Sequence, residues 1–338
     1  MLDIRSTDGV PGVGELATWS ELVAADPDAT VFHTPRFLMT WLAVLGDRVA
    51  PRVRWLSRGE AVVGVVAEEL EVVGSPDDPV RELRFLGGTE VTDYVGPVAA
   101  PSDREAVVQA WIAALTDDPA WDRVLAAGLP ADTGWPSLIE QHARRADLHV
   151  ETETQDVCPR IELVGDADAW LASLPSRQRH ELQRKARKLA RELGGFEVVT
   201  APPDDPAGAL GSFLELASQA GGAKGRFFVD DRMRAFFEAL VDEFAPDGTL
   251  RIDRLVVAGR TAAATVSLVH GGVFGLYNSS FDQGTGTYAP GMVLITELVL
   301  DAARGGCTTF DLLRGDEPYK YRFGATERRL VRLTLTRS

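Results

Sequence analysis

The alternation of apolar and polar positions predicts helices first and strands next. Residues 16–25 and 36–45 carry large apolar side chains at helical spacing. Short β-rich runs follow at 52–57, 61–70 and 82–88, separated by residues that favour turns. The chain is therefore expected to begin with two helices and an antiparallel meander.

Strands and helices alternate over the rest of the first half. The pattern predicts a helix at 103–115, a strand at 122–129, a helix at 137–145 and a strand at 148–154. Antiparallel strands followed by such an alternation are typical of an α+β domain.

The second half repeats this order of elements. The pattern predicts, in turn, a strand at 159–164, helices over 166–193, a strand at 196–201, helices at 206–220 and 230–244, three strands over 250–282, a helix at 290–304, and strands at 308–313 and 330–336. The shared order predicts two α+β domains of one architecture, each a mixed sheet flanked by helices. We expect them to span residues 1–155 and 156–338, with the boundary near 152–160.

Length and composition favour a folded protein of two domains. The chain has 338 residues, of which 45% are apolar and 25% charged, and both fractions are globular values. Its net charge of −15 argues against a protein whose main function is to bind a nucleic-acid backbone. A secretory leader pattern and a run of about 18 apolar residues are both lacking. We therefore expect a cytoplasmic protein without a membrane span.

Several familiar site motifs do not occur in the sequence. Its two cysteines, Cys158 and Cys307, lie far apart, and no His-x-x-x-His pair, serine nucleophile elbow or Walker loop is found. These observations argue against a metallohydrolase, a serine hydrolase and a nucleoside triphosphatase, and no metal site is expected.

A glycine-rich segment leads directly into the predicted helix at 290–304. Backbone N–H groups at the beginning of a helix bind phosphate, and proline suits the first helical turn. The candidate phosphate-binding residues are Gln283, Gly284, Gly286, Pro290 and Gly291. The alternative is that these glycines serve folding alone.

The predicted helix over 176–193 is the one strongly basic element of an acidic chain. An apolar stripe runs along one side of it, while arginine and lysine cover the other faces. Arg184, Arg187 and Lys188 are candidates for binding a phosphate of a donor molecule. A solvated amphipathic helix that balances acidic neighbours is the alternative.

A third candidate site is the stretch DLLRGDEPYKYRFGA, residues 311–325, where charged and aromatic residues follow an apolar strand. Asp311, Asp316 and Glu317 are the carboxylates best placed to accept a proton from an acceptor amine. Lys320 and Arg314 are candidates to hold an anionic substrate or to neutralise these acids. Structural ion pairs across the turn are an equally good reading.

The order strand, glycine-rich loop, helix, strand, short helical turn and strand, together with Gln283-x-x-Gly286-x-Tyr288, resembles the GNAT superfamily of acyl-CoA-dependent N-acyltransferases. The family loop ends in a small residue where this chain has Tyr288. The segments LPSRQRHELQRKARKL, YAPGMVLITELVLDAARGGCTTFDLLRGDEPYKYRFGA and FHTPRFLMTWL look more specifically like the CelD/BcsL-like acetyltransferases, which are similar to the Fem-type aminoacyltransferases.

This resemblance implies two tandem GNAT-like domains, the second intact and the first degenerate. It also implies a coenzyme A thioester as the donor, bound by the phosphate-site candidates. By the family plan, a backbone N–H on the strand before the loop polarises the thioester carbonyl. A tyrosine on the later helical turn, Tyr319 or Tyr321, donates the proton to the leaving group.

The acceptor is expected at the cleft between the domains, where the resemblance also places the Asp-Tyr pair of the first half. The candidate acceptor-binding residues are Asp93, Tyr94, Tyr277, Asn278 and Arg314. An aspartate-capped turn with a packed tyrosine is the alternative reading of Asp93 and Tyr94.

The sequence thus predicts an enzyme that transfers an acyl group other than an aminoacyl group to an amine or hydroxyl of a small-molecule, sugar or cell-envelope acceptor. One alternative is a Fem-like transferase that takes its group from aminoacyl-tRNA, which the basic helix favours and the net charge disfavours. Another is a non-catalytic binding protein in polysaccharide or envelope assembly.

Overall fold

The chain folds into two units in the computed structural model, which describes residues 2–202 and 205–337. The first unit comprises residues 1–157 and 328–338, and the second comprises residues 158–327. The last strand of the chain therefore belongs mainly to the first unit. Within the described residues, no helix is long and apolar enough to cross a membrane.

The first unit contains six strands, and a seventh begins in it. Its elements are β1 (Asp3–Asp8), α1 (Val13–Ala25), a 3-10 turn (Val31–His33), α2 (Pro35–Leu45), β2 (Ala50–Arg58), β3 (Ala61–Ser75), β4 (Asp78–Phe85), α3 (Arg104–Asp117), β5 (Arg123–Pro130), α4 (Trp135–Arg145), the first part of β6 (Leu148–Glu162) and most of β12 (Thr326–Arg337). The strand order is β1-β2-β3-β4-β5-β12, with β4 and β5 parallel and the other listed pairs antiparallel. This is the predicted mixed sheet.

The core of the first unit lies between its sheet and helices α3 and α4. Trp111 of α3, Trp135 at the start of α4 and Trp121 before β5 are buried there among leucine and valine side chains of the strands. Fully burying a side chain of this kind stabilises a fold by about 1.5–3 kcal/mol.

The second unit has the same layered construction. Its elements are the end of β6, α5 (Ala167–Ser173), α6 (Ser176–Leu193), β7 (Glu197–Thr200), α7 (Ala207–Ser218), α8 (Gly222–Val229), α9 (Asp231–Phe244), β8 (Leu250–Val257), β9 (Arg260–His270), β10 (Val273–Phe281), a 3-10 turn (Gln283–Tyr288), α10 (Pro290–Arg304), β11 (Thr309–Asp311), a second 3-10 turn (Lys320–Phe323) and the start of β12. The strand order is β6-β11-β10-β9-β8-β7, in which β10 and β11 are parallel and the other pairs antiparallel.

Helices cover both faces of this second sheet. Leu276 of β10 joins the core that α5, α6 and α10 form on one face. The next residue, Tyr277, stacks on Phe237 of α9, with ring centroids 5.6 Å apart, on the other face. The predicted α+β class, with mixed sheets flanked by helices, is confirmed.

Several elements differ from the sequence prediction, and the two strands expected at 148–154 and 159–164 are the single strand β6. β1 was not predicted because its side chains are nearly all exposed and lack alternation. α8 was not predicted because it is short and contains two glycines. β11 ends at Asp311, two residues earlier than expected, because the Asp311 carboxylate accepts a hydrogen bond from the Leu313 N–H at 2.8 Å, and Leu313 adopts φ +53°. The chain turns away from the sheet there.

Glu69 of β3 is a buried carboxyl in the first unit whose environment favours the protonated form. Its side chain accepts one long hydrogen bond, 3.4 Å, from the Gly87 N–H. Arg84, opposite Glu69 in the β3–β4 register, directs its guanidinium to Glu71 and Glu82 instead. Burial therefore raises the pKa of Glu69 to about 7.

We expect this carboxyl to make the first unit less stable as the pH rises from 5 to 8. The unfolded chain releases the Glu69 proton near the ordinary glutamate pKa, whereas the folded chain retains it up to about pH 7. Glu69→Gln, which keeps an acceptor for Gly87, should raise the free energy of unfolding by about 2.5 kcal/mol more at pH 8 than at pH 5.

Urea unfolding followed by tryptophan fluorescence measures this difference, since six of the seven tryptophans lie in the first unit and only Trp170 lies in the second. Glu60→Gln, at an exposed turn, is the matched control. An equal effect of Glu69→Gln at both pH values would contradict the assignment.

Candidate functional site

The second sheet opens between β10 and β11. The parallel pairing covers three residue pairs, from Val273 opposite Thr309 to Gly275 opposite Asp311. β10 continues to Phe281, whereas β11 ends at Asp311. The last six residues of β10 therefore extend beyond the end of β11.

A β-bulge lies at the beginning of this open edge. On its other side, β10 pairs with β9, where Gly275 is opposite Leu268 but Asn278 is opposite Val266. One extra residue is thus inserted into β10 at 276–277. A bulge leaves one residue outside the hydrogen-bond ladder, so backbone polar groups become available to a bound molecule at this point.

The Lys320 side chain holds the segment after β11 in place. Its ammonium donates hydrogen bonds to the carbonyl oxygens of Leu313, Arg314 and Gly315 at 3.0, 2.9 and 3.0 Å. It also forms an ion pair with Glu317 at 3.0 Å, and its residue is only 3% exposed. These contacts use all the donor capacity of the ammonium, which gives Lys320 a structural position in the turn.

Tyr319 points from this turn toward the open edge of β10. The Ser279 side chain of β10 lies beside Tyr319, whose ring packs against the core. Burial and the nearby Glu317 carboxylate raise the pKa of Tyr319 to about 12. The phenol is therefore protonated throughout the physiological range.

Tyr321 has a different environment from Tyr319. Its hydroxyl donates a hydrogen bond to the Asp316 carboxylate on the outer side of the turn. That hydrogen bond raises the pKa of Tyr321 to about 12. Of the two tyrosines, Tyr319 is the one that lies beside β10.

Lys224 of α8 also reaches the open edge of β10. Its ammonium donates a hydrogen bond to the carbonyl oxygen of Ser279. A Cβ on Gly225 would lie 2.0 Å from the Ala220 carbonyl oxygen, so a glycine is required where α8 packs on the preceding turn. Burial lowers the pKa of Lys224 to about 8, and the Glu317 carboxylate partly opposes this effect.

The glycine-rich loop after β10 forms a 3-10 turn that leads into α10. The Asp282 carboxylate accepts the Gly284 N–H at 2.9 Å, and Ala289 adopts φ +51° before Pro290. No side chain caps α10, and the N–H groups of its first turn, such as that of Gly291, have no intrahelical acceptor. These groups and the helix dipole favour a bound anion.

Lys188 of α6 lies directly against this loop. Its ammonium donates to the Thr287 carbonyl oxygen at 3.3 Å and sits 5.1 Å from the centre of the Tyr288 ring. Arg184 and Arg187 of α6 are exposed to solvent. Lys188 therefore brings one of the positive charges of α6 next to the beginning of α10.

The other candidate site residues lie in the glycine-rich loop, in β10 and in the first unit. The loop carries an exposed Gln283 and a half-buried Gly286. Asn278 pairs in register with Val266 beside the bulge. Asp93 and Tyr94 belong to the first unit, where Tyr94 is buried against Phe32 and under the Arg328 guanidinium.

Two residues of this cluster, Lys224 and Ser279, were missed by the sequence analysis. Lys224 lies between glycines in a short helix without a clear apolar pattern. The one available signal was the scarcity of lysine in the chain, which has four among its 35 basic residues.

Comparison with known protein families finds a match, and it lies within the second unit. Residues 176–321 match the family model of the acetyltransferase (GNAT) domain. No curated protein sequence matches the chain.

Three solved structures share the fold over nearly all of the chain. FemX covers 96% of this chain and 96% of its own at 11% identity, with a TM-score of 0.69. The C-terminal domain of a putative lysylphosphatidylglycerol synthetase from Agrobacterium fabrum covers 95% and 91% at 10% identity, with a TM-score of 0.58. A tandem GNAT protein from the clavulanic acid biosynthesis pathway covers 98% of each chain at 13% identity, with a TM-score of 0.54.

These similarities confirm the expected GNAT fold, and the narrower resemblance to the CelD/BcsL-like acetyltransferases stays a prediction. The chain adopts a GNAT fold, and its residues 176–321 match the acetyltransferase (GNAT) domain.

Proposed function

We propose that the second unit transfers an acyl group from a coenzyme A thioester to an amine or hydroxyl of a small-molecule, sugar or cell-envelope acceptor. The observation that carries this proposal is the position of Tyr319. The protonated Tyr319 side chain lies beside Ser279 on the open edge of β10, and the same strand leads directly into the phosphate-binding candidate loop.

The loop and α6 suit the phosphates of coenzyme A. The first-turn N–H groups of α10 and the Lys188 ammonium are the donors that would hold the pyrophosphate, and the exposed Arg184 and Arg187 extend the positive surface. Tyr288 contacts Lys188 and packs against the core, which supports an altered but functional loop. Asp282 opposes anion binding by its charge, but its carboxylate is already bonded to the Gly284 N–H.

A bound acyl-CoA would supply a thioester, whose carbonyl carbon is activated for nucleophilic attack. The chain's own contribution is the backbone of β10 at the bulge, which offers hydrogen bonds to the carbonyl oxygen, and Tyr319, which donates its proton to the leaving sulfur. Glu317 is the carboxylate of the turn that acts on both Tyr319 and Lys224, so it is the candidate to accept the acceptor's proton. The Asp311 carboxylate accepts a hydrogen bond from the Leu313 N–H, and the Asp316 carboxylate accepts one from the Tyr321 hydroxyl. These bonds favour a role for both carboxylates in fixing the shape of the turn.

One observation favours a second candidate function, which is aminoacyl transfer from a charged tRNA. The exposed side of α6 carries basic residues along its whole length, a surface longer than one pyrophosphate needs. Those residues are Arg177, His180, Arg184, Arg187 and Arg191.

Calorimetric titration with acetyl-CoA, longer acyl-CoAs and free coenzyme A, followed by a thiol-release assay against pooled amines, tests the proposal. Binding together with thiol release is the expected result. Binding without release would indicate a non-catalytic binding protein, and the absence of binding would overturn the proposal in favour of the tRNA-dependent candidate.

Removing the Tyr319 hydroxyl should slow the reaction without preventing donor binding. We expect Tyr319→Phe to lower kcat by about 10²–10⁴-fold, because a positioned proton donor contributes a factor of this size. The dissociation constant for acetyl-CoA should change little.

The matched control is Tyr321→Phe, which removes the hydroxyl that bonds Asp316 instead. Steady-state thiol release measures both variants. Full activity of Tyr319→Phe would exclude Tyr319 from the chemistry.

Removing the positive charge beside the loop should weaken donor binding. We expect Lys188→Gln to raise the dissociation constant for coenzyme A about tenfold, since a hydrogen bond to a charged group contributes about 1.5–3 kcal/mol. Adding Arg184→Gln and Arg187→Gln should raise the KM for acetyl-CoA further.

Arg177→Gln provides the control on the same helix. Arg177 lies eleven residues before Lys188 on the same side of α6, about 16 Å away along the axis. Equal losses of affinity in Arg177→Gln and Lys188→Gln would show that general charge, and not the loop, determines binding.

A further inference from the structure

Lys224 is a half-buried lysine that the proposed reaction above does not use. The chain has 35 basic residues but only four lysines, Lys185, Lys188, Lys224 and Lys320, all within residues 176–321. Lys185 forms an ion pair with Glu181 on α6, Lys188 lies against the phosphate-binding candidate loop, and Lys320 donates hydrogen bonds to three carbonyls. Lys224 remains, on α8, with its amine directed to the open edge of β10.

Two reactive groups meet at one residue of that edge. The Lys224 amine donates a hydrogen bond to the backbone carbonyl of Ser279, and Tyr319 lies beside the Ser279 side chain. Ser279 follows the bulge at 276–277 and lies beyond the end of β11. An amine and a proton donor thus flank the strand against which a thioester would lie.

The surroundings of Lys224 favour its uncharged, nucleophilic form. Burial lowers the pKa of its amine to about 8, and Glu317 is the charged group that acts against this shift. Most charged side chains on the neighbouring helices are exposed to solvent, and Arg234 of α9 is half-buried. The exposed ones are Glu215 of α7, Arg226 of α8, Asp230 before α9, and Asp231, Arg232, Glu238, Asp242 and Glu243 of α9. At neutral pH the neutral fraction of such an amine exceeds that of an ordinary lysine by about two orders of magnitude.

We propose that Lys224 is a site of self-acylation, at which its ε-amino group takes the acyl group of a thioester bound along the open edge of β10. This inference rests on the proposed function, because it needs the same donor. It adds a modification site to the domain and a means of regulating it.

The step is balanced in atoms and charge. The neutral Lys224 nitrogen forms a bond to the acyl carbon while the bond from that carbon to sulfur breaks. The nitrogen loses one proton, and the leaving sulfur gains one, with Tyr319 placed to deliver it. The products are an amide at Lys224 and free coenzyme A thiol, and no further reactant is needed.

The product should inhibit the domain. An acylated Lys224 is uncharged and bulkier than the free amine, so it fills the space beside Ser279 where the donor's acyl group would lie. Because an amide is far more stable than a thioester, the modification should persist until another enzyme removes it.

The test is intact-mass analysis and peptide mapping of the full chain after incubation with acetyl-CoA alone, at pH values from 6.5 to 9. We expect one acetyl group per chain, on Lys224, added at least about tenfold faster than on Lys185, which lies on α6 in an ion pair with Glu181 and away from β10. The rate should rise with pH and level off above about 8, where the Lys224 amine is fully deprotonated.

Two variants make the result specific. Lys224→Arg keeps the positive charge and should abolish the modification, whereas Lys185→Arg should leave it unchanged. Tyr319→Phe should slow acetylation of Lys224 at least about tenfold, because it removes the proton donor. A control with a chemical acetylating reagent in place of acetyl-CoA should lose this dependence on Tyr319.

The outcomes separate this inference from the proposed function. Coenzyme A binding with no adduct on Lys224, or with equal adducts on Lys185 and Lys224, would overturn the self-acylation and leave the proposed function standing. The absence of acetyl-CoA binding would overturn both.

Discussion

Three backbone carbonyls, those of Leu313, Arg314 and Gly315, converge on the buried ammonium of Lys320, and this contact sets the path of the chain after β11. A buried charge with three good acceptors and a carboxylate partner is stable, whereas the same charge without them would be very costly. The turn therefore has one well-defined arrangement. It continues the turn that Asp311 and Leu313 begin, leaves the end of β10 open and places Tyr319 beside Ser279.

The chemistry proposed for the domain follows from this open edge. A bulge frees backbone groups at its beginning, and the glycine-rich loop with the first turn of α10 follows at its end. Between these two points, two side chains from distant parts of the sequence lie beside the strand. Tyr319 comes from the turn after β11, and Lys224 comes from α8, which precedes β10 in the chain. Anion binding, carbonyl binding and proton transfer are thus arranged along a single strand.

The sequence predicted the parts of the site that depend on local chemistry. The glycine-rich approach to α10, the basic face of α6 and the tyrosine after β11 were all identified from spacing and order of elements, or from the resemblance that these features carry. The helix and strand pattern also predicted most elements of both units, because the apolar periodicity of buried helices such as α10 is strong.

Other parts of the site depend on contacts between distant segments and could not be predicted. Lys320 was a candidate to hold an anionic substrate or to neutralise the acids of the turn. It pairs with Glu317, and its three carbonyl partners are brought together only by the folded turn. Lys224 is 55 residues from Ser279 in sequence, and no local pattern indicates their hydrogen bond. The bulge in β10 depends on its register with β9, which the alternation of side chains does not reveal.

The central claim is that the donor binds along the end of β10 and the loop that follows it. Hydrogen–deuterium exchange with and without acetyl-CoA tests this most directly. The account predicts slower exchange in peptides that cover residues 276–292, with no change in peptides from the strands of the first unit. Unchanged exchange over 276–292, or protection confined to another part of the chain, would contradict it.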